Sequence, residues 1–582
     1  MVIAILAPPV RFLFAWLQER VVSFPFDDPW IHLTYARTLL ETGRWSYFPG
    51  APLTTGSSSP LWVLLEAALL RVVPNEKLLA IGLGLLAHAG LVLVLARWFV
   101  RRTASAGWSA LAILLLVANS QVTLLALSGM ETSLFMLAVA LAFLRWSEDD
   151  ALGAALAVGL ATWVRPEGLL LAAALAVDAL LARRMPRRAL AAGTTLLVLL
   201  GGYAAFNRVL GGHWLPETVG AKAALAGHRS FLEFVRNDVM WVFGHAELLL
   251  LPLAAFAVWR GFATGATRES RVVAEAGWSA GLVLAIGLGL HHAHVFGRYL
   301  VPALPAWILC GVQGLRLLDQ AAGLRRRPPR WLALGLAGAA VAWQLAGYLQ
   351  HARDYAYYIR YYHDRHERAG RWLAEHTAPS AVIATHDVGA MAFYSRRRII
   401  DLAGLVSPEV VPHLGRPDYE RYLDTMLPAR GVTHVAVLEN LAPIDNQRPV
   451  FEAVAAPEFL HVYEYRPGVT HFIPLAAQAL NDSATDLAVA GHTPEAEQAL
   501  RRSLAIDDRA STTWTLLGTV LLSRGDGAGA EAAFRSALAR FPGQSDARGG
   551  LAEMLRRAGR LEEAKAEQDS LARESATATP AS

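Results

Sequence analysis

The sequence predicts an α-helical polytopic membrane protein that carries a small α/β domain and a C-terminal all-α repeat solenoid. Three observations predict it. Long apolar runs recur up to about residue 350, the mean hydropathy is +0.33, and only 18% of residues are charged, against an ordinary share of about 25%. Arginine-rich clusters fall on every second connection between those runs. Beyond residue 475, small residues return every 34 positions.

The apolar segments lie at 2–23, 77–99, 106–126, 132–147, 151–165, 168–183, 189–207, 241–260, 275–290, 299–317 and 331–349. They make about eleven spans. The first contains Pro8, Pro9, Arg11, Gln18, Glu19 and Arg20. Such a segment crosses a membrane poorly and reads as a truncated start or a helix at a boundary. PLWVLLEAALLRVV (60–73) is too short to cross and reads as re-entrant or interfacial. The clusters RWFVRR (97–102), RRMPRR (183–188), WRGFATGATRESR (259–271) and LRRRPPR (324–330) then mark cytoplasmic loops. That leaves 24–76, 208–240, 291–298 and everything after about residue 350 outside.

The membrane domain is accordingly drawn at 1–349, with its first outer loop at 24–76. Over 350–470, short β-rich runs at 381–385, 398–402, 433–438 and 460–465 alternate with helical segments, as in a small α/β domain. Over 475–575, Gly491, Gly525 and Gly559 stand 34 apart, as do Leu487, Leu521 and Leu555, and Ala496, Ala530 and Ala564. This is the tetratricopeptide spacing: alanine lets paired helices approach and glycine turns the chain. The units read 477–510, 511–544 and 545–575, and the tail 576–582 reads as disordered. Repeats of this kind imply a protein partner.

Composition also excludes some classes. A formal net charge of +4 is too small for bulk nucleic-acid affinity. The single cysteine, Cys310, lies in an apolar run and rules out an intrachain disulfide or a Cys-based metal site. No cleavable signal peptide stands out.

The candidate chemistry lies in the outer loops. FPFDDPWIHLTYARTLLETG (24–43) places Asp27 and Asp28 just after an apolar stretch. Asp28-Pro29 is a good helix start and Gly43 a good stop, so one aspartate has a capping role. The second is left over. Trp30, Leu33, Ala36, Leu39 and Leu40 form an apolar stripe, which suits a helix lying along the membrane surface. Lys222 is a lone cation in the Gly/Pro-broken tract GGHWLPETVGAKAAL (211–225). Arg298 opens a span on the outer side, and so does Arg165 beside Glu167; a tight self-paired Arg165–Glu167 turn is the plain structural reading. Ionic groups at a membrane mouth are otherwise functional candidates. His291, His292 and His294, or the acidic pair, could hold a divalent metal; hydrogen bonding alone explains them equally well. A carboxylate beside several cations suits a phosphate-bearing substrate: the carboxylate takes a hydroxyl proton and the cations hold the leaving group.

In order along the chain, DDPWIHLTYARTLLETG, FPGAPLTTGSSSPLWVLL (48–65), SGMETSLFMLA (128–138), WVRPEGLLL (163–171), WLPETVGAKA (214–223), FGRYLVPALP (296–305) and ATHDVGAMAFYSRRRIIDLAGLVSPE (384–409) resemble the GT-C glycosyltransferases. These are polytopic membrane enzymes that use polyprenyl-phosphate sugars. The resemblance is to the arabinofuranosyltransferase-like and protein-mannosyltransferase-like branches and covers about residues 20–470. It implies an acidic base in the first outer loop, Asp27 or Asp28, acting in an inverting transfer. It implies donor-phosphate binding by Lys222, Arg298 and Arg165. His32, His213, Glu217, Tyr299, His386 and Asp387 lie in or beside the matching tracts as candidate substrate contacts. The implied partners are a polyprenyl-phosphate-sugar donor and a glycan, lipid or protein acceptor. The implied place is a bacterial cytoplasmic membrane with the C-terminal domains outside. The weak first span and the added repeats depart from the pattern. Two other classes compete. A transporter or flippase predicts broken helices and mid-span charge, and a scaffold predicts repeats on an inactive core.

Overall fold

The computed structural model describes residues 1–181, 188–225, 230–263, 272–290, 295–322, 330–439, 441–455 and 458–577. The chain divides into two compact units. The first comprises Met1–His363 and Gly404–Pro408, the second Asp364–Ala403 and Glu409–Ser582.

The first unit is a helical membrane body. Val2–Glu19, Glu76–Thr103, Ala189–Gly211, Val301–Gln320 and the run Trp331–His376, which continues past His363 into the second unit, contain windows long and apolar enough to cross a bilayer. The pair Phe231–Phe243 and Ala246–Phe262 makes a sixth if it counts as one span bent by 96°. Six shorter apolar helices occupy the remaining apolar runs: Pro60–Leu70, Ala106–Val117, Thr132–Ser147, Ala151–Val164, Gly168–Leu181 and Val273–Gly289.

Arg11, which makes the first segment look poor, is buried. Its guanidinium donates to the Ser120 carbonyl at 2.7 Å, the Thr123 hydroxyl at 2.9 Å and the His351 carbonyl at 2.7 Å. A buried arginine is tolerated when most of its donors are satisfied in this way; its Nε alone has no hydrogen-bond partner among the described residues. Arg102, counted above among loop charges, is also inside: it pairs with Glu275 at 2.5 Å, the two side chains being 8% and 2% exposed.

The helix Asp28–Thr42 begins at Asp27, which takes the cap position in a helical conformation and makes no side-chain cap bond. Pro29 in the first turn and Gly43, at φ 69°, set its ends. Its stripe is wider than the surface-helix reading allowed. Trp30, Ile31, His32, Leu33, Thr34, Tyr35 and Ala36 are all buried, so the helix is enclosed on most sides.

The second unit holds a five-stranded sheet. Its order is Arg398–Asp401, Val382–Thr385, His434–Leu438, Glu458–Glu464, Phe451–Ala455. The first three strands are parallel and the last two antiparallel to their neighbours. The strand Phe451–Ala455 is hard to read in the sequence because it is short and Glu452 interrupts its apolar residues. Three helix pairs follow: Leu475–Val489 with Thr493–Ile506, Ser511–Ser523 with Gly527–Arg540, and Ser545–Arg557 with Leu561–Thr577. Ala496 and Ala530 are fully buried and Ala564 nearly so. Gly491, Gly525 and Gly559 turn the chain at φ 83°, 82° and 75°. These are tetratricopeptide repeats.

Candidate functional site

A cavity of about 270 Å³ opens in the first unit. Much of its lining is apolar, including Leu169 and Leu170 of the helix Gly168–Leu181, Leu215, Val219, Ile286 and Leu290. It also carries the ionic and polar groups Arg165, Glu167, Lys222 and Tyr299. A small polar pocket of about 20 Å³ adjoins it. Ser58, Thr218, Lys222 and Tyr299 line both. The pocket adds Asp28, His32, Glu131, Arg298 and Leu405.

Local sequence explains how these groups meet. Asp28, Ile31 and His32 share one face of the first outer helix at i, i+3 and i+4. Thr218 and Lys222 do the same on the helix Glu217–Leu225. Arg298 is aimed by an unusual turn: Phe296 and Gly297 both have positive φ, 56° and 63°. That conformation costs a non-glycine residue about 1 kcal/mol. A Cβ on Gly297 would lie 2.1 Å from the Val242 side chain, so only glycine fits.

Three cations surround one tyrosine. The Lys222 ammonium donates to the Tyr299 hydroxyl at 2.6 Å. The guanidinium carbons of Arg165 and Arg298 lie 4.7 Å and 5.4 Å from its ring centroid. Arg298 is 2% exposed and its Nη2 pairs with Asp28. Its buried Nη1 has no hydrogen-bond partner among the described residues. Burial opposes the Arg298 charge, but Asp28, Tyr299 and Glu131 outweigh it and raise its pKa further. Arg165 makes the self-paired turn, donating to Glu167 at 2.6 Å, and it also donates to the Arg298 carbonyl at 3.1 Å.

Behind this lies a second polar line. The His32 Nδ1 is 2.8 Å from the Ser57 hydroxyl, and its Nε2 is 3.3 Å from Glu131. Glu131 is 3.8 Å from Arg165. Burial alone would raise the Glu131 carboxyl; His32, Arg165 and Arg298 outweigh it and bring the pKa down to about 2. Within GMETSLF the sequence alone does not single out Glu131. Its signal was the one that marked Asp28, an acid at the threshold of an apolar run.

The remaining candidates are placed differently. Asp27 is 6% exposed and is not among the residues of either cavity. Glu217 ties the helix that bears Lys222 to the first outer loop: its carboxylate accepts from the Thr55 amide at 3.1 Å, and its own amide donates to the Thr55 hydroxyl at 3.1 Å. His213 is exposed. His386 and Asp387 belong to the second unit. There the Asp387 carboxylate is 2.7 Å from the His366 ring and 3.6 Å from that of His386. Burial opposes the Asp387 charge, but the two histidines and Arg365 hold its pKa below the usual carboxylate range.

His291, His292 and His294 lie outside the described residues. Among the described residues no three His, Cys, Asp or Glu side chains converge on a cation position. Asp28 and Glu131 each face a basic side chain instead.

One backbone approach completes the pocket wall. The Gly56 amide donates to the Tyr35 hydroxyl at 3.1 Å. A Cβ on Gly56 would lie 2.6 Å from Val406 Cγ1 and 2.7 Å from the Leu405 carbonyl oxygen. Glycine therefore lets the segment Gly404–Pro408 seat against the first outer loop, where Leu405 reaches the pocket.

Comparison with known proteins gives limited matches. Residues 351–489 match a family described only as a domain of unknown function (DUF8728), and 521–578 match the tetratricopeptide repeat. No curated protein matches the chain. Among solved structures the chain is similar to ArnT from Cupriavidus metallidurans in the apo state, at 14% identity over 78% of this chain and 97% of that one, with a TM-score of 0.46. It is similar to the same protein bound to undecaprenyl phosphate at the same identity and coverage, with a TM-score of 0.48.

Proposed function

We propose that this protein is a multi-pass glycosyltransferase of the GT-C type, which moves a sugar from a polyprenyl-phosphate carrier to an acceptor on the outer face of a bacterial cytoplasmic membrane. One observation carries the reading: Lys222, Arg165 and Arg298 gather around Tyr299 where an apolar cavity meets a polar pocket. An amphiphile with a long hydrocarbon tail and an anionic head suits such a site. The tail takes the leucine-rich lining, and the phosphate takes Lys222 and the vacant Nη1 of Arg298. The sugar then lies at the mouth of the small pocket that Asp28 lines.

Of the acidic pair, Asp28 is the better base. It lines the pocket with its side chain 20% exposed, and Asp27 is not among the pocket residues. In a single inverting displacement the acceptor oxygen bonds to the anomeric carbon, and the carbon–phosphate oxygen bond breaks. The polyprenyl phosphate leaves with the electron pair, and the acceptor proton goes to Asp28. The cations stabilise charge as it grows on the phosphate. The tetratricopeptide repeats, carried outside the cytoplasm with the α/β domain, recruit a protein partner or present the acceptor.

The test is transfer from undecaprenyl-phosphate arabinose or undecaprenyl-phosphate mannose in membranes carrying wild type, Asp27→Asn, Asp28→Asn or both. Loss of transfer in Asp28→Asn with retention in Asp27→Asn supports the assignment. Full activity in the double variant sinks it.

A further inference from the structure

A carboxylate that takes a proton in every cycle must also lose it. Asp28 sits in a pocket of about 20 Å³ whose other ionic groups are Glu131, Lys222, Arg298 and the neighbouring Arg165. Two further groups able to carry a proton line the pocket, the Tyr299 hydroxyl, which is held by Lys222 at 2.6 Å, and the His32 imidazole. His32 lies one helical turn beyond Asp28 on the same face. Its Nδ1 meets the Ser57 hydroxyl at 2.8 Å and its Nε2 faces Glu131 at 3.3 Å. We propose that Ser57, His32 and Glu131 form the proton relay that empties Asp28 after each sugar transfer, an inference that rests on the glycosyltransferase reading above.

The geometry fixes the direction. Glu131 stays ionised, its pKa held at about 2 against the effect of burial by His32 and the two arginines. An ionised carboxylate beside Nε2 favours the tautomer with hydrogen there, which leaves Nδ1 as the acceptor. Nδ1 faces Ser57. The proton passes from Asp28 across the pocket, whose wall includes Gly56 and Ser58 on either side of Ser57, to the Ser57–His32 pair and enters at Nδ1, as the serine hydroxyl passes its own proton on and receives the incoming one. His32 becomes an imidazolium. Three cations nearby would oppose that charge, and the Glu131 carboxylate offsets them. Glu131 thus stabilises the imidazolium without being protonated. Water takes the proton from His32 once the product has left, which restores every group.

A buried histidine bonded to a serine and facing a carboxylate can also be purely structural, and the experiment separates the two roles. Wild type, His32→Ala, His32→Gln and Ser57→Ala are compared for release of undecaprenyl phosphate from undecaprenyl-phosphate arabinose or mannose. Binding of undecaprenyl phosphate itself serves as the folding control. The relay predicts that His32→Ala and His32→Gln bind the lipid normally but turn over about 100-fold more slowly, the scale of a lost acid–base group. It predicts that added imidazoles restore His32→Ala at fixed pH, with a rate that follows their basicity and not their size. Ser57→Ala slows turnover by about tenfold, or 1.4 kcal/mol. Wild-type turnover in His32→Gln overturns the relay, as does rescue of His32→Ala that ignores basicity. If His32→Ala does not fold, an unchanged rate in Ser57→Ala overturns it. Wild type that neither binds nor releases the lipid overturns the glycosyltransferase reading instead.

Discussion

Arg298 offers the sharpest test of the anion site. Its Nη2 is committed to Asp28, while Nη1 is buried and has no partner among the described residues. A phosphate at the junction would take Nη1 without displacing Asp28. Replacing Arg298 with Gln removes the positive charge and shortens the reach. A charge-assisted hydrogen bond of this kind contributes about 1.5–3 kcal/mol. The affinity for undecaprenyl phosphate should therefore fall about 10- to 150-fold, since each 1.4 kcal/mol is about tenfold. The single change also leaves Asp28 without its counter-ion, which lowers stability for a separate reason. The double variant Arg298→Gln with Asp28→Asn removes that complication and should bind as weakly as the single one. Titration of detergent-solubilised protein with undecaprenyl phosphate, followed by tryptophan fluorescence, measures both. Binding within about twofold of wild type in the double variant would refute the assignment of Arg298 to the phosphate.

Three further outcomes follow from the geometry. Gly56→Ala places a methyl group against the Leu405 carbonyl and Val406, so overpacking should cost about 1–3 kcal/mol and appear as a lower melting temperature. Arg102→Met leaves Glu275 uncompensated inside the helical body and should cost about 3–5 kcal/mol, whereas Arg102→Met combined with Glu275→Leu recovers most of it in denaturant titrations. Glu131 has a folded pKa of about 2 against an ordinary 4.5. Its stabilisation, about 3 kcal/mol, is therefore complete above the unfolded value and drains away as pH falls toward 2. The stability gap between wild type and Glu131→Gln should be widest near pH 6 and close progressively below pH 4.5, as followed by thermal melting.

Legibility in the sequence tracked locality. The repeats could be read because their determinants, Ala496, Ala530, Ala564 and the three turn glycines, recur at a fixed short period. The helix at Asp28–Thr42 announced itself through Pro29 and Gly43. Charge carried less certain information. Arg11 reads in sequence as a break in an apolar run and Arg102 as a loop charge, yet both are buried on partners far along the chain. The pairing of Asp28 with Arg298 spans 270 positions; motif order brought both into view, but only the fold shows them in contact. Glu131 was overlooked because a single acid before an apolar helix is usually a cap. Its meaning comes from His32 and Arg165, which reach it from two other segments.

The brief return of the chain at Gly404–Pro408 has a consequence for how the molecule is made. The polypeptide leaves the first unit after His363, comes back for five residues, and leaves again. No single cut therefore separates the two units. A truncation at residue 363 would remove Leu405 from the pocket wall and strip Gly56 of its neighbour. During synthesis the pocket cannot be finished until residue 408 has emerged, by which point the strand Arg398–Asp401 is also available to its sheet. That segment is encoded after all the helices of the first unit.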